Sequence, residues 1–296
     1  MALGRILKSP TSGTSSLVSV IQRAVVRNGL YPIPTPSSRV RVSLLHKLCP
    51  RADVLRFMHN VAEADNVEAD LGVTFAIGTA LHYAMQNLML SKTSVLEGMW
   101  RCEKCGHLYG DVPYKDHLKP AQIASRISCP AKCDKCKHDT FKFEEYFFVD
   151  EELGLQGHCD GLLNMPALSD EPVLFELKSI AQSQTWKIRD TPLIDHVIQV
   201  HGYMMLSGLS KAIVLYWVKG VHGMPALKEF VVERDDDLVA TLTEALRQRK
   251  EGLEKGIVPE DRVCATADCA RASGCPVRQT CFSNYVPEPD SAAGQF

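Results

Sequence analysis

The amino-acid sequence predicts a mixed α/β fold, in which helices flank a twisted β-sheet. Residues 143–150, 154–165 and 172–179 are predicted strands, because Tyr146 to Val149 is apolar and aromatic and the later stretches alternate around Asp160. The 296 residues are enough for one large domain or two modest ones, each with a buried core.

Helices are predicted on both sides of these strands. Ser43 is a candidate N-cap of a helix that runs past Leu48, with Cys49-Pro50-Arg51 within it or at a break. A second helix over about residues 75–91 carries His82 and Gln86 one turn apart. A third opens at Asp190-Thr191-Pro192 and runs to about Ser207.

The remaining elements follow from local patterns of the same kind. Residues 211–218 and 228–233 predict two further strands, and residues 235–255 predict a charged amphipathic helix. In the N-terminal arm, residues 16–27 carry a helical apolar stripe that ends at Asn28-Gly29.

Composition and charge exclude a membrane-spanning helix and point to a local basic surface. The longest apolar run is Ala212 to Val218, far shorter than the about 20 residues that a spanning helix needs. The net charge is −2, but residues 1–60 contain nine Lys or Arg and one acid, Asp53. This asymmetry predicts either a face for a polyanion or a solvated arm, and the N-terminus before Asp53, which has no acidic residue, also fits a mitochondrial presequence.

Charged residues lie within two of the predicted strands. Glu176 and Lys178 share one strand face, while Phe175 and Leu177 point the other way, and Asp160 lies sixteen positions before Glu176, one hairpin's distance. An inward face that carries a carboxylate and an ammonium costs stability unless a metal ion and an anion compensate. The pattern therefore predicts a site for a divalent metal and a phosphate, and a surface salt bridge is the alternative.

Two flanking motifs extend this pattern. Gly78-x3-His82 precedes it, and Gln199-x3-Tyr203 follows it. In this order the His, GxxD, ExK and QxxxY motifs resemble the RecB-like branch of the PD-(D/E)XK nucleases, which includes the iron-sulfur exonucleases of recombination and CRISPR adaptation. The resemblance runs from about Ser43 to Cys281 and implies a restriction-endonuclease-like mixed sheet flanked by helices.

The resemblance also implies roles for the charged residues. Asp160 and Glu176 would be carboxylate ligands of Mg²⁺ or Mn²⁺, the Leu177 carbonyl would add an oxygen, and His82 would add a nitrogen. For His82 alone, the alternative is a helical histidine whose hydrogen bonds are satisfied within the protein.

Three further residues complete the implied catalytic set. Lys178 would orient the attacking water or hold the scissile phosphate. Gln199 and Tyr203, one helical turn apart, would contact DNA at the edge of the site and support the lysine. A helix face with a half-buried tyrosine is the alternative for this pair.

The eleven cysteines are clustered rather than scattered. One group fits a zinc ribbon inserted between the helical segment and the strands, with paired x2 spacing; it comprises Cys102, Cys105, Cys133 and Cys136. Cys129, His107 and His138 are alternative ligands.

A second group lies near the C-terminus. The resemblance implies a [4Fe-4S] cluster held by Cys49 and three of the C-terminal cysteines, which are Cys264, Cys269, Cys275 and Cys281. Their x4, x5 and x5 spacings lack the family's tight x2 gap. A zinc site formed by these four residues alone, or free thiols, are therefore the alternatives.

These assignments predict six segments: a basic arm (1–42), a helical part of the nuclease domain (43–99), the zinc-ribbon insertion (100–142), the nuclease core (143–258), a cysteine-rich iron-sulfur cap (259–286) and a disordered tail (287–296). The expected function is a metal-dependent DNA exonuclease acting on single-stranded DNA or DNA ends in recombination, repair or replication. The expected setting is the cytoplasm of a bacterial or phage-infected cell, with no membrane contact and with a helicase or recombination partner by family analogy. A non-catalytic DNA-binding or assembly subunit and an RNA-directed nuclease are the alternatives.

Overall fold

The structure is a computed structural model that describes residues 39–61, 69–110 and 127–283. The predicted N-terminal helix and most of the basic arm, like the predicted C-terminal tail, lie outside these residues. The chain divides into two units, of which one comprises residues 38–62 and 82–296 and contains all the strands named below. The described part of the other unit is the helical segment 69–81.

The described strands form two sheets. They are β1 Val40–Arg41, β2 Leu96–Cys102, β3 Leu108–Tyr109, β4 Ile127–Ser128, β5 Phe141–Glu144, β6 Tyr146–Asp150, β7 Leu155–Cys159, β8 Gly161–Leu163, β9 Val173–Ala181, β10 Lys211–Lys219 and β11 Leu227–Glu233. The larger sheet has the order β11-β10-β9-β8-β2-β3, with β4 and β5 also paired to β2, and the smaller has the order β1-β7-β6. Strands β9 and β10 are parallel, and β8 and β9 are antiparallel.

The predicted strands are confirmed, but two of them are divided in a way that the sequence pattern did not indicate, and β1 to β4 are additional. The first stretch is divided at Glu145 into β5 and β6, and the second is divided at Asp160 into β7 and β8. At each of these residues the chain passes from one sheet to the other. The architecture is therefore mixed α/β, and the chain crosses between the two sheets at Glu145 and again at Asp160.

The helices differ from the prediction mainly at their ends. They are α1 Pro50–Met58, α2 Ala69–Tyr83, α3 Ile194–Ser207, α4 Asp236–Lys255, α5 Ala270–Ser273 and α6 Arg278–Phe282. Helix α2 begins earlier than expected and continues as a π-helix over Ala84–Met89 and a 3-10 turn over Leu90–Lys92. In the described ranges, no helix has both the length and the apolar character needed to cross a membrane.

Two predicted helix starts are wrong. Ser43 lies inside a 3-10 helix, Val42–Lys47, which has no side-chain cap, and the α-helix begins at Pro50 after Cys49. Proline at the first helical position loses no hydrogen bond, which explains the break there. Helix α3 begins at Ile194, after an extended Leu193, so Pro192 precedes the helix instead of opening it.

Helix α4 matches its prediction closely. Asp235 is its N-cap, and its side chain accepts hydrogen bonds from the backbone N–H groups of Asp237 at 3.0 Å and Leu238 at 3.1 Å. Gly256 ends the helix with a φ of 68°, a left-handed conformation that glycine adopts without steric cost.

Strand β9 separates two hydrophobic clusters. Leu174 and Ile180, which share a face with Glu176, pack in the cluster that includes α3. Phe175 and Leu177 point to the other cluster, which contains Trp100. The alternation predicted from the sequence is thus present, and burial of both faces holds the charged residues in place.

Gly202 allows α3 to approach the chain close to the site. A Cβ at this position would lie 2.9 Å from both Val42 Cγ1 and Leu45 Cδ2, a separation that real Cβ atoms do not tolerate. The glycine therefore permits α3 to pack on the 3-10 helix of residues 42–47, which orients the helix face that bears Gln199 and Tyr203.

Candidate functional site

The two crossing points between the sheets bring acidic residues together. Tyr146 pairs with Cys159 across β6 and β7, so the residues just outside this pair, Glu145 and Asp160, are neighbours in space. His82, near the end of α2, completes the group, with its Nδ1 3.2 Å from Asp160 Oδ1. One potential ligand atom from each of His82, Glu145 and Asp160 lies within 4.8 Å of the others.

Gln86 joins this group from the π-helical segment. Its Nε2 donates hydrogen bonds to Glu145 Oε1 at 3.1 Å and to the Asp160 carbonyl at 2.8 Å. The π-helix widens the turn after His82, and such turns are frequent at functional sites. Gln86 therefore links both crossing points, at Glu145 and at Asp160, to the π-helical segment that follows His82.

Glu176 has two oxygens in different environments. Its Oε1 accepts from Lys178 Nζ at 2.6 Å and from Gln199 Nε2 at 2.7 Å. Its Oε2 is buried and has no hydrogen-bond partner among the described residues. Because the side chain is only 3% exposed, the pair with Lys178 is not a surface salt bridge. A buried carboxylate oxygen without a partner costs free energy and is the position where a cation would be stabilised.

Asp160 is hydrogen-bonded to strand β9, which carries Glu176 and Lys178. Its Oδ2 accepts a hydrogen bond of 2.6 Å from the backbone N–H of Leu177, the residue between Glu176 and Lys178. With Oδ1 facing His82, both Asp160 oxygens are oriented. The site is thus built from strand β9, the two sheet crossings at Glu145 and Asp160, and helices α2 and α3.

Tyr203 lies in the interior and not at the surface. Its hydroxyl donates to the backbone carbonyl of His158, two residues before Asp160, and a further side-chain hydrogen bond joins it to Gln199. Burial raises its pKa well above the usual value. Together Gln199 and Tyr203 connect α3 to Glu176 and to β7.

The charges of the site perturb one another. Burial and the negative charge of Asp160 raise the pKa of Glu176 to about 7, and the same two causes raise the pKa of Glu145. Burial lowers the pKa of His82, but the hydrogen bond to Asp160 and the nearby carboxylates outweigh it and raise the pKa to about 8. Burial also lowers the pKa of Lys178, but Glu176 and Asp160 outweigh it and raise the pKa above its usual value. Acidic groups outnumber basic ones, so the site attracts cations.

Glu145 is the site residue that sequence reasoning missed. The available signal was the acidic pair Glu144-Glu145 in an otherwise aromatic stretch. The two acids separate in the structure: Glu144 pairs with Arg101, whose Nη2 lies 2.8 Å from its Oε2, whereas Glu145 turns toward His82 and Asp160. Hard carboxylate oxygens with an imidazole nitrogen form a ligand set suited to Mn²⁺ or Mg²⁺.

The first cysteine group comes together in the structure. Cys102 Sγ lies 3.5 Å from Cys136 Sγ, and Cys105 Sγ lies 3.6 Å from Cys133 Sγ, with all four sulfurs within 4.8 Å of one another. Sulfurs around a tetrahedral Zn²⁺, each about 2.3 Å from the metal, are separated by about 3.8 Å. The four thiols therefore fit a zinc ion.

The two halves of this group repeat one backbone geometry. In the first, Gly106 N–H donates to the Cys102 carbonyl at 2.9 Å, and in the second Lys137 N–H donates to the Cys133 carbonyl at 2.8 Å. Gly106 and Lys137 both have left-handed φ values, of 71° and 61°. This repeated turn places the two sulfurs of each Cys-x2-Cys pair on the same side of the chain, where they meet the sulfurs of the other pair.

The alternative ligands lie outside this group of four sulfurs. The His107 ring stacks edge-on against Tyr109 at 4.6 Å, and His138 contacts the Thr140 hydroxyl. Cys129 Sγ faces the Pro130 carbonyl at 3.8 Å. Strand β2 of the larger sheet continues past residue 100 and ends at Cys102. The first cysteine of the four-sulfur group is therefore the last residue of a sheet strand.

The C-terminal cysteines collect around Cys49. Cys49, Cys275 and Cys281 belong to one apolar cluster with Leu55, and Cys264 hydrogen-bonds Cys269 and interacts electrostatically with Cys49. Two arginine side chains also join the region around Cys49 to the C-terminal segment. Arg51 Nη1 donates to the Pro259 carbonyl at 2.7 Å, and Arg271 Nη2 donates to the Leu48 carbonyl at 2.8 Å.

Comparisons with known proteins found structural matches only. No protein-family model and no curated protein matches the sequence. Among solved structures, the one described as SSO0001 has 12% identity and a TM-score of 0.41, covering 92% of this chain and 99% of its own. An alkaline exonuclease (LHK-Exo) from Laribacter hongkongensis has 13% identity and a TM-score of 0.41, covering 74% of this chain and 90% of its own.

A third match is a phage-related exonuclease from Haemophilus somnus 129PT, with 10% identity and a TM-score of 0.40, covering 74% of this chain and 95% of its own. At these TM-scores the likeness does not establish a common fold. The function of the chain has to be judged from the site itself.

Replacing one thiol of the four-sulfur group is expected to remove zinc. In a Cys105→Ser variant the tetrahedral set is incomplete, so metal analysis should show less than one zinc per chain and the melting temperature should fall. Cys129→Ser is the matched control, since its thiol lies in the same segment but outside the group. Equal zinc content in the two variants would contradict the assignment.

Proposed function

We propose that this chain is a divalent-metal-dependent deoxyribonuclease with a PD-(D/E)XK-type fold, which hydrolyses phosphodiester bonds in single-stranded DNA or at DNA ends. The observation that carries the proposal is the buried Glu176 Oε2, which lacks a hydrogen-bond partner among the described residues and lies in a site with Asp160 and Lys178. The resemblance of the motifs to the RecB-like branch supports the same function.

The ligands of the catalytic metal are proposed to be Asp160, Glu176, His82 and the Leu177 carbonyl, with Glu145 added from the structure. A Mg²⁺ or Mn²⁺ ion bound there would neutralise the phosphate and make a water molecule more acidic. The residues themselves are pre-arranged for ligation. Asp160 is oriented by His82 and by the Leu177 N–H, and Glu176 is oriented through one oxygen only.

Lys178 is proposed as the residue that acts on the reacting phosphate. It shares a strand face with Glu176, it is about one-fifth exposed, and its pKa is raised, so it remains charged at the mouth of the site. A fixed positive charge interacts more strongly with the phosphate as negative charge accumulates on its oxygens in the transition state.

Gln199, Tyr203 and Gln86 are proposed as positioning residues. Gln199 holds Glu176 Oε1, Tyr203 holds the backbone of β7, and Gln86 holds both Glu145 and the Asp160 backbone. Because Tyr203 is buried, we assign it a positioning role instead of the contact with DNA that the sequence analysis expected.

A non-catalytic subunit with the same fold explains the site less well. Three carboxylates that share a buried region, one of them with an unpartnered oxygen, destabilise the protein unless a cation binds. A purely structural role favours their replacement by apolar residues of similar volume. Retention of the charged groups is therefore more consistent with catalysis.

Removing a metal-binding carboxylate is expected to abolish cleavage. Asp160→Asn and Glu176→Gln preserve side-chain size but remove the charge that binds the cation, so DNA hydrolysis should be lost over a full Mg²⁺ and Mn²⁺ titration while the circular dichroism spectrum is unchanged. Glu144→Gln is the matched control, because this acid pairs with Arg101 outside the ligand group, and it should remain active. Full activity of Asp160→Asn or Glu176→Gln would refute the catalytic assignment.

Lys178→Ala is expected to slow cleavage far more than it weakens DNA binding. Loss of one charge that acts on the transition state costs on the order of 10²–10³ in turnover, whereas loss of one surface lysine weakens binding modestly. The measurements are single-turnover cleavage at saturating enzyme and a binding titration with Ca²⁺ in place of Mg²⁺. The exposed Lys142 supplies the control variant, Lys142→Ala. A Lys178→Ala enzyme that binds weakly but cleaves at the normal rate when saturated would contradict this role.

We further propose that Cys49 and three of the C-terminal cysteines hold a [4Fe-4S] cluster. Cys49, Cys275 and Cys281 pack in one cluster, and Cys264 interacts with Cys49, so four thiols, the number that such a cluster requires, are available in this region. Protein purified without air should be brown and contain iron and labile sulfide in addition to zinc. Cys49→Ser should lose the iron and keep the zinc, whereas Cys129→Ser should keep both. Zinc as the sole metal of the wild-type protein would overturn the cluster.

A further inference from the structure

Trp186 is exposed in a way that is unusual for tryptophan. It lies in the 3-10 helix Gln182–Ile188, which directly follows β9, and its side chain is 72% exposed. Trp100, in contrast, is fully buried. Burial of an indole ring contributes more stability than burial of most side chains, and an exposed ring offers a flat apolar surface to a ligand.

The position of Trp186 relates it to the proposed catalytic strand. Lys178 is three residues before the end of β9, and Trp186 is five residues beyond that end. With rises of about 3.3 Å per strand residue and about 2 Å per 3-10 residue, the chain path between them is roughly 20 Å. This path length is the upper limit of the separation of the two residues in space, and a short stretch of extended nucleic acid spans it.

The segment that carries Trp186 is anchored on the protein at two points that follow the tryptophan. Ile188 is fully buried in the core, while Leu193 N–H donates to the Tyr216 hydroxyl at 3.0 Å. Tyr216 is the partner of Lys178 in the register between β10 and β9. The connection therefore leaves β9 after Lys178 and returns beside that residue, and Trp186 lies in the stretch between these two points.

The charges around Trp186 favour an anionic ligand. Lys187 Nζ lies 5.7 Å from the centre of the Trp186 ring, and Arg189 is exposed two residues further on. Asp190 is the single acid between residues 182 and 193. A flat aromatic surface with cations beside it matches a base and its flanking phosphates.

We propose that Trp186 is a platform on which an unpaired base of the DNA strand stacks while the neighbouring phosphates approach Lys178. Only an unpaired base presents its flat face to a side chain, because the bases of a duplex are stacked on each other. The inference rests on the proposed nuclease function and specifies single-stranded DNA as the substrate at the rim of the site.

The first test compares DNA binding by variants of exposed aromatic residues. With Ca²⁺ in place of Mg²⁺, Trp186→Ala should bind a short single strand about 5- to 100-fold more weakly than the wild type, and Trp186→Phe should retain most of the affinity because it keeps an aromatic face. Phe57→Ala is the matched control, since Phe57 is 61% exposed on α1 and lies outside the site. Binding of a blunt duplex should be unaffected by Trp186→Ala.

The second test distinguishes stacking from a loss of charge or of folding. A single abasic nucleotide is moved along the strand, and one position should weaken binding by the wild type but not by Trp186→Ala. The slope of affinity against salt concentration should be the same in both proteins, because stacking releases no counterions. Quenching of tryptophan fluorescence on DNA binding should also disappear in Trp186→Phe.

The outcomes separate this inference from the proposed function. If the wild type cleaves DNA but Trp186→Ala binds single strands as tightly as Phe57→Ala, the stacking platform is refuted and the nuclease function stands. If the abasic position affects both proteins equally, stacking on Trp186 is likewise refuted. If the wild type neither cleaves nor binds DNA, the proposed function fails, and the stacking platform fails with it.

Discussion

The structure depends on holding three carboxylates together in a buried region where their negative charges repel one another. At an effective dielectric constant of about 20, two unit charges 4 Å apart interact by about 4 kcal/mol, so this cluster persists only if the surrounding structure constrains it. Lys178 and Gln199 constrain Glu176, whereas His82 and the Leu177 N–H constrain Asp160. These constraints come from β9 and from helices α2 and α3, so the strand and both helices must be in place for the site to exist.

The two cysteine groups lie where segments distant in sequence meet. Cys102 ends β2, and the opposite end of β2 pairs with β8, the strand that starts immediately after Asp160. An ion bound by the four sulfurs would therefore hold a strand next to the sheet crossing. In the second group, Arg51 and Arg271 link α1 and the segment before it to the cysteine-rich C-terminal region. Both groups connect segments that are distant in sequence. Bringing such segments together costs conformational entropy, and a small apolar cluster alone offsets little of this cost.

Much of the fold could be predicted from local sequence pattern. The strands around Tyr146, Asp160 and Glu176 follow from apolar alternation, and α4 follows from its cap at Asp235 and its terminal Gly256. The start of α3 was misplaced, because the turn-forming Pro192 precedes the first helical residue Ile194 and propensity does not separate a turn before a helix from its first turn.

The sequence by itself determined which residue types the site contains, because a strand period places Glu176 and Lys178 on one face and a helix period places Gln199 above Tyr203. Only the tertiary structure decided that Glu145 joins them. Glu144 and Glu145 are equivalent in local pattern, and the chain selects between them by passing from one sheet to the other at Glu145, which turns one carboxylate toward His82 and leaves the other with Arg101. Where a strand breaks depends on the pairing of segments far apart in the chain, and no local periodicity encodes that pairing.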